Sequence, residues 1–239
     1  MKFSVITATY NSEDTIERTV RSVMAQGGVD IEHIIIDNCS KDKTLEIIAA
    51  CKSPFVQVIS EPDNGIYDAF NKGLKLASGE VVSFLNSDDY YLDGALSKAA
   101  ENFKKHDGAV CVHGNIQVAD RICRPGRGFL SFGKRRIFHP ASFVQRLIFD
   151  VVGDFDTSFK IVADLDLFLR IPNELKFIHI DEPLTNFALG GISTKNPLLV
   201  PHEIKKALLK NHYHSITANF IFLCEMLRNL KSILYRKLS

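Results

Sequence analysis

The chain has 239 residues, 46% of them hydrophobic and 24% charged, which is ordinary for one large globular domain or one domain with an appendage. The net charge of +1 argues against a protein dedicated to binding nucleic acid. Five scattered cysteines form no Cys-x-x-Cys pair, so neither a zinc site nor a disulfide framework is indicated. With a strand pattern that starts at Phe3, no signal peptide before it and no apolar run near the ~20 residues that span a bilayer, we expect a cytoplasmic protein.

The first half of the chain alternates between strand and helix patterns. Continuous apolar runs, typical of buried strands, occupy residues 3–6, 34–36, 56–59, 81–85 and 109–113. Helical patterns lie between them, two beginning after the N-cap candidates Ser12 and Ser40 and two covering about residues 66–76 and 93–105. Buried strands separated by helices predict an α/β fold with a mostly parallel sheet flanked by helices.

Polar side chains follow the strands at the points where they end. The segments concerned are 7–11, 37–38, 61–64 and 86–89, and three of these four contain acids. Ligands of such sheets bind beyond the carboxyl ends of the strands, so we expect these residues to meet in one site. The adjacent carboxylates Asp88 and Asp89 suit Mg²⁺ or Mn²⁺, which would hold phosphates that the acids alone would repel. Taken alone, residues 86–89 fit a surface turn equally well.

The middle of the chain is less regular. Residues 121–136 contain six Lys or Arg with a proline and three glycines, which predicts a basic loop that is either simply solvated or shields a leaving group's charge. Residues 163–170 predict a short helix. Its acids Asp164 and Asp166 are two positions apart and cannot share a helical face, so one should face a site while the other caps or pairs, with Arg170 at i+4 as a partner for Asp166.

The segment from residue 202 onward has a helical pattern and carries seven Lys or Arg against two Glu, a local charge of +5. Apolar residues recur at 216, 220, 223, 227, 230 and 234, which is one stripe of an amphipathic helix. The stripe either packs on the domain or on a second subunit, giving a homodimer, or lies on anionic lipid. We expect one domain over residues 1–200 and a helical tail over 201–239.

Several segments together resemble family 2 glycosyltransferases, which have the GT-A (Rossmann-like) fold. The segments are 4–11 (SVITATYN), 36–44 (IDNCSKDKT) and 61–69 (EPDNGIYDA), with NSDD at 86–89 where the family keeps its metal-binding DxD motif and ADLDLFLR at 163–170 where it keeps an acidic catalytic-base segment. The resemblance covers about residues 3–195. Its specificity comes from the order of the motifs, since each one alone is weak.

The resemblance implies roles for individual residues. Tyr10 would stack on the nucleotide base, Asp37 would bind the base edge, and Thr9 and Asp63 would lie beside the nucleotide. Asp88 would ligate the cation, Mn²⁺ or Mg²⁺, on the diphosphate, and Asp89 would orient the donor sugar. Asp164 would be the general base, with Asp166 in reserve. The first DxD position is Asn86, a neutral oxygen donor, and Ala163 stands where an acid usually precedes the base.

The resemblance also implies an activity. The protein would be an inverting glycosyltransferase of the hexosyltransferase type that moves a sugar from a nucleotide-sugar donor to a hydroxyl of a glycan or polyprenyl-linked acceptor. Its setting would be cell-surface polysaccharide synthesis, in the cytoplasm or peripherally on the cytoplasmic face of the inner membrane.

Two other classes of protein share some of these sequence features. A sugar nucleotidyltransferase shares this architecture, but it normally has a Gly-rich basic loop after the first strand, and residues 7–15 contain no Gly, Lys or Arg. A non-catalytic membrane-associated adaptor would account for the tail but not for four polar strand ends.

Overall fold

The computed structural model describes residues 1–126, 137–191 and 196–238, with side chains up to position 230. Its first half contains the predicted alternation of strands and helices. The strands are β1 (Lys2–Thr9), β2 (Asp30–Asp37), β3 (Val56–Ser60) and β4 (Val81–Asn86), and the helices are α1 (Ile16–Met24), α2 (Thr44–Ala50) and α3 (Ile66–Leu76). The predicted bounds of α3 are confirmed.

The second half is more irregular. Its elements are β5 (Tyr90–Tyr91), α4 (Ala95–Lys105), β6 (Ala109–Val118), β7 (Arg121–Cys123), a 3-10 turn (His139–Ala141), β8 (Ser142–Gln145), α5 (Leu147–Val152), α6 (Ala163–Arg170), β9 (Lys176–Asn186), α7 (Leu199–Lys210) and α8 (Ser215–Leu238). Of the predicted basic loop, Arg121 and Arg124 are described, and the residues from 127 to 136 lie outside the described ranges.

In the described part of the chain, nine strands form one sheet in the order β3-β2-β1-β4-β8-β6-β9-β5, with β7 paired to β6. β1 to β4 are parallel neighbours, as predicted. The predicted fifth strand, β6, is not the neighbour of β4, because β8 lies between them and pairs antiparallel with both. The sheet is therefore parallel in one half and mixed in the other.

Both faces of the sheet are buried, because alternate residues of each strand pack against different helices. On β1, Ile6 joins a core with α3, α5, α6 and α7, whereas Phe3 and Val5 join a core with α4. A third, smaller core lies between α1, α2 and Ile35 of β2. Gly73 brings α3 close to the sheet, since a Cβ there would stand 2.3 Å from Ile6 Cγ2. The N-terminus of α3 is thereby fixed at the carboxyl ends of the strands.

The proposed division at residue 200 is not a boundary in the structure. α7 begins at Leu199, and its Ile204, Ala207 and Leu208 are buried in the main core. α8 adds Ala218 and Ile221 to the same core. The first helix of the expected tail is therefore part of the domain. Within the described residues, none of the helices combines the length and the apolar character that a bilayer crossing needs.

Candidate active site

A cavity of about 570 Å³ opens at the carboxyl ends of β1 and β4. Its lining comes from the 8–15 loop, the N-terminus of α3, residues 86–88, His139, residues 160–161 and the 187–191 segment after β9. We call it the strand-end cavity. A larger and more open groove of about 820 Å³ runs along α1 and residues 90–93, but neither Tyr10 nor Asp88 lines it, whereas both line the strand-end cavity. The strand-end cavity is therefore the candidate site.

The turn that carries Asp88 is held in place by α1. Arg18 donates to the carbonyl oxygen of Asp88 at 3.1 Å, and the Thr19 hydroxyl lies 2.9 Å and 2.7 Å from the carbonyl oxygens of Ser87 and Asp89. The Ser87 hydroxyl also bonds that of Ser12 at 2.8 Å. These bonds fix the backbone of the turn, and Asp88 lines the cavity.

The side chain of Asp89 bonds to groups of the protein itself. The residue is fully buried, and its carboxylate accepts the backbone N–H of Ala188 at 2.8 Å and the Asn86 amide at 3.0 Å. Burial, followed by the charge of Asp88, raises the pKa of Asp89 to about 7. Asp89 therefore fastens the 187–191 wall of the cavity to the end of β4, and its contact with a donor sugar stays a prediction.

Two of the four predicted nucleotide residues lie at the end of β1. Tyr10 is 56% exposed and lines the cavity, so its ring is available for stacking. Thr9 is buried, and its hydroxyl has no hydrogen-bond partner among the described residues.

The other two, Asp37 and Asp63, are tied to backbone and hydroxyl groups. Asp37 is fully buried and accepts hydrogen bonds from the Ser40 N–H at 3.0 Å, from the Ser40 hydroxyl, and from the Ser60 hydroxyl at 2.6 Å. Asp63 accepts the Gly65 N–H at 2.8 Å, and burial raises its pKa. In the structure both carboxylates hold loops together, and direct contact with a nucleotide stays a prediction.

The two acids of α6 have different surroundings and different partners, as expected. Asp166 is fully buried and bonds Arg170 Nε, Lys210 Nζ and Asn211 Nδ2, each at 3.0 Å. The predicted i+4 pairing with Arg170 is confirmed, and Asp166 ties α6 to α7. The Asp164 side chain is 21% exposed, and its Oδ2 lies 3.2 Å from His139 Nδ1. Asp164 does not itself line the strand-end cavity, but its partner His139 does.

Two polar side chains that bond to α6 or to the segment before it were missed by sequence reasoning. His139 begins the 3-10 turn before β8, a strand that was not predicted. Glu203 on α7 is buried, and its carboxylate accepts the backbone N–H groups of residues 160–162, directly before α6. A histidine followed by Pro140 and a short apolar run was the available signal for the first. The second carried none, because an acid at 203 reads as part of a solvated helix face.

Few basic residues of the described ranges lie at the cavity. Arg124 forms an ion pair with Asp181 at 2.9 Å, away from the strand-end cavity. Among the described residues that line the cavity, Lys160 is the one with a permanently cationic side chain. Within the described ranges, the positive charge that lines the cavity therefore comes from the segment before α6.

Comparisons with known proteins agree with this geometry. The model of glycosyl transferase family 2 matches residues 4–162. A Mycobacterium tuberculosis protein described as an uncharacterised glycosyltransferase is 33% identical over 214 residues, covering 85% of this chain and 81% of its own length. A PGL/p-HBAD biosynthesis glycosyltransferase of Mycobacterium bovis is 31% identical over 218 residues, covering 86% of this chain and 83% of its own.

Solved structures with the same fold are more distant in sequence. S. aureus TarS 1–349 in complex with UDP-GlcNAc gives a TM-score of 0.73 at 21% identity, over 97% of this chain and 73% of that one. The mannosyltransferase PcManGT of Pyrobaculum calidifontis, in complex with GDP-Man and Mn²⁺, gives a TM-score of 0.73 at 16% identity, over 98% and 75%. These structures bear on the fold, while the family model and the mycobacterial relatives establish membership: the chain belongs to glycosyltransferase family 2 and is a glycosyltransferase with a GT-A-like fold.

Proposed function

We propose that the protein transfers a sugar, with inversion, from a nucleoside-diphosphate sugar to a hydroxyl of a glycan or lipid-linked acceptor. One observation carries the proposal: a single cavity is lined by an exposed aromatic ring, Tyr10, by the carboxylate of Asp88 and by His139, the partner of Asp164. Complexes of the structural neighbours with UDP-GlcNAc and GDP-Man support a donor of this class.

The donor's nucleotide would lie over the ends of β1 and β2. The exposed face of Tyr10 suits a base, and the unpartnered Thr9 hydroxyl is a polar group that a ligand could satisfy. Asp37 and Asp63 would reach the nucleotide after local rearrangement of their loops. Lys160 on the opposite wall would lie near the diphosphate and offset its charge.

A divalent cation fits the residues that are present. Asp88 supplies a carboxylate, and Asn86 Oδ1 is a buried oxygen with no hydrogen-bond partner among the described residues, on the same cavity wall. In the described ranges, no group of three or more His, Cys, Asp or Glu could hold a metal by itself. Mg²⁺ and Mn²⁺ accept few protein oxygens when substrate phosphates complete the shell, so Asp88 with Asn86 would suffice. When bound, the cation would neutralise charge on the departing diphosphate.

The chain's own part in the chemistry is proton removal. As the acceptor oxygen forms its bond to the anomeric carbon, the bond from that carbon to the phosphate oxygen breaks and its electron pair leaves with the nucleoside diphosphate. Asp164 takes the hydroxyl proton. Attack opposite the leaving group inverts the anomeric centre, and no covalent nucleophile is required.

Three variants test this assignment. Asp88→Ala and Asp164→Asn should each lower transfer by about 10²-fold or more, because one removes the metal-binding carboxylate and the other the base. Asp164→Asn should keep its affinity for the nucleoside diphosphate. Asp120→Ala removes an exposed carboxylate outside the cavity and serves as the matched control. Unchanged transfer by Asp88→Ala in the presence of chelator would contradict the metal assignment.

The same assay separates the alternatives. A sugar nucleotidyltransferase would release inorganic pyrophosphate from a nucleoside triphosphate and a sugar phosphate, and an adaptor would hydrolyse no donor at all. The polar strand ends and the Asp164–His139 pair favour transfer over both.

α8 supports a setting at a membrane surface. Its residues Ala218, Ile221 and Glu225 are buried against the domain. On the opposite side of the helix, an apolar stripe is between 42% and 80% exposed and consists of Ile216, Phe220, Leu223, Leu227 and Leu230. Since residues 202–239 also carry a net charge of +5, we propose that the stripe lies in the plane of an anionic bilayer.

Vesicle binding tests this setting independently of catalysis. The double variant Leu223→Ser, Leu227→Ser should lose sedimentation with phosphatidylglycerol-containing vesicles and keep donor hydrolysis. Leu147→Ser, an equally exposed leucine on α5, is the matched control. If the wild type ignores vesicles but is a dimer that the double variant dissociates, the stripe is a subunit interface.

A further inference from the structure

His139 has no assigned role in the transfer that we propose, yet it is the side chain that joins the strand-end cavity to Asp164. Its Nδ1 lies 3.2 Å from Asp164 Oδ2, and its ring lines the cavity. The His139 ring also packs on Phe70, with ring centroids 6.2 Å apart and planes at 62°. Contacts on two sides therefore define where the ring lies.

The hydrogen bond fixes the proton on the ring. A charged carboxylate can only accept, so Nδ1 must carry the hydrogen that is shared with Asp164. The other oxygen of Asp164, Oδ1, accepts the N–H of Leu165 at 2.8 Å. Both carboxylate oxygens are thus held, one by the helix and one by His139. Nε2 of His139 is buried and has no hydrogen-bond partner within the described residues.

The turn that carries His139 is itself anchored. The carbonyl oxygen of His139 accepts the Ser142 hydroxyl at 2.8 Å, and that of Pro140 accepts the buried Thr185 hydroxyl of β9 at 2.7 Å. The 3-10 turn is therefore tied both to β8 and to the neighbouring strands. A histidine on such a support can hold a carboxylate within the narrow tolerance that proton transfer needs.

We infer that His139 is a positioning residue for the base, its Nδ1–H holding the Asp164 carboxylate toward the acceptor hydroxyl. The inference rests on the proposed transfer function. A histidine that orients a carboxylate reverses the more familiar arrangement, in which a carboxylate orients a histidine, but the physical requirement is the same: one fixed tautomer and one fixed rotamer.

Two substitutions separate the hydrogen bond from the packing. His139→Phe keeps a ring against Phe70 but has no donor. His139→Asn places an amide N–H near the position of Nδ1. We expect His139→Phe to lower kcat by about 10- to 100-fold, the usual cost of removing a partner that orients a functional group, with the donor KM unchanged. His139→Asn should recover most of the rate. Equal losses in both variants, or none in His139→Phe, would overturn the inference.

A double variant shows whether His139 acts through Asp164. If it does, Asp164→Asn with His139→Phe should be no slower than Asp164→Asn alone, because the carboxylate to be positioned is already gone. A further loss of rate, or a weaker affinity for the nucleoside diphosphate in His139→Phe, would mean that the imidazole contacts the substrate itself.

Nitrogen-15 NMR of the imidazole tests the geometry without any turnover. The wild type should show the Nδ1-protonated form, and Asp164→Asn should weaken or abolish that preference. An Nε2-protonated His139 in the wild type would overturn the inference even if the protein transfers sugar. Conversely, the expected tautomer in a protein that transfers no sugar would contradict the proposed function and leave the pairing intact.

Discussion

Glu203 offers the sharpest test of how the fold holds the base segment. Its Oε1 accepts the N–H of Lys160 at 2.8 Å, and its Oε2 accepts those of Ile161 at 2.8 Å and Val162 at 3.2 Å. Glu203→Gln keeps the shape of the side chain but replaces one acceptor oxygen with an NH₂ group. That group cannot accept, so one buried backbone N–H faces another donor. Losing one hydrogen bond to a charged group should lower the free energy of unfolding by about 1.5–3 kcal/mol.

The same substitution should affect turnover, because residues 160–162 lead directly into α6 and carry Lys160 on the cavity wall. We expect a fall in kcat of several-fold, with Asp164 itself unchanged. Urea denaturation and initial rates measure the two effects. Glu182→Gln is the matched control, since it makes the same chemical change in an exposed pair with Lys98 at 2.6 Å, where a salt bridge contributes about 1 kcal/mol at most. If Glu203→Gln and Glu182→Gln shift unfolding and kcat equally, the assigned role of Glu203 is wrong.

Three further predictions concern acidic side chains that are buried or partly buried. Asp37→Asn should lower the free energy of unfolding, measured in urea, by about 1–3 kcal/mol, because the oxygens of Asp37 accept three hydrogen bonds. If calorimetry shows a change in nucleotide affinity and stability is unchanged, Asp37 contacts the base instead. Asp166→Asn should destabilise the fold and leave the donor KM unchanged, since Asp166 bonds Arg170 and α7 but does not line the cavity; melting temperature and steady-state rates check both. Burial opposes the charge of Glu32, but hydrogen bonds from Lys2, Ser4 and Ser78 outweigh it and lower its pKa to about 2. A lowered pKa stabilises the fold above about pH 4.5 and loses that contribution as the pH falls toward 2, so Glu32→Gln should be less stable than wild type by about 3 kcal/mol at pH 7, with the gap narrowing below pH 4.5 in urea titrations.

The parallel half of the fold could be predicted because its signals are local. Each strand from β1 to β4 contains a short, mostly apolar run, and the helix over 66–76 ends before Ser78-Gly79 where the pattern ends. The order of the second half could not be derived in this way. β8 has four residues and pairs with β4 and β6, and nothing in Ser142–Gln145 alone specifies those neighbours.

In the candidate site too, the residues that belong to local motifs could be proposed from the sequence, and those brought in by packing could not. Asp88 and Asp164 could be proposed from the sequence because each lies in a short motif with a recognisable neighbourhood. His139 and Glu203 were missed because each bonds to a residue that is distant in sequence. His139 is 25 residues from Asp164, and Glu203 is at least 41 residues from the backbone N–H groups that it accepts. Asp88 and Asp89 look alike in sequence, and only packing shows that Asp89 is the one that is buried and bonded to Ala188.

The tail illustrates a related difficulty. The periodicity of residues 216–234 predicted one apolar stripe, which is confirmed up to residue 230, where the described side chains end. The periodicity could not tell which face of α8 meets the domain. Packing uses the opposite face, through Ala218 and Ile221, and leaves the large apolar side chains exposed. Small residues carry little weight in an amphipathic pattern even where they make the closest helix contacts.

The most direct test of the central claim is to determine the anomeric configuration of the sugar that the protein first releases from a nucleotide-sugar donor. Proton NMR can record this configuration before the free sugar mutarotates. The account predicts the inverted anomer, formed with added Mn²⁺ or Mg²⁺, nearly abolished by chelator, and formed about 10²-fold or more slowly by Asp164→Asn. Release of the retained anomer, or a full rate from Asp164→Asn, would contradict it.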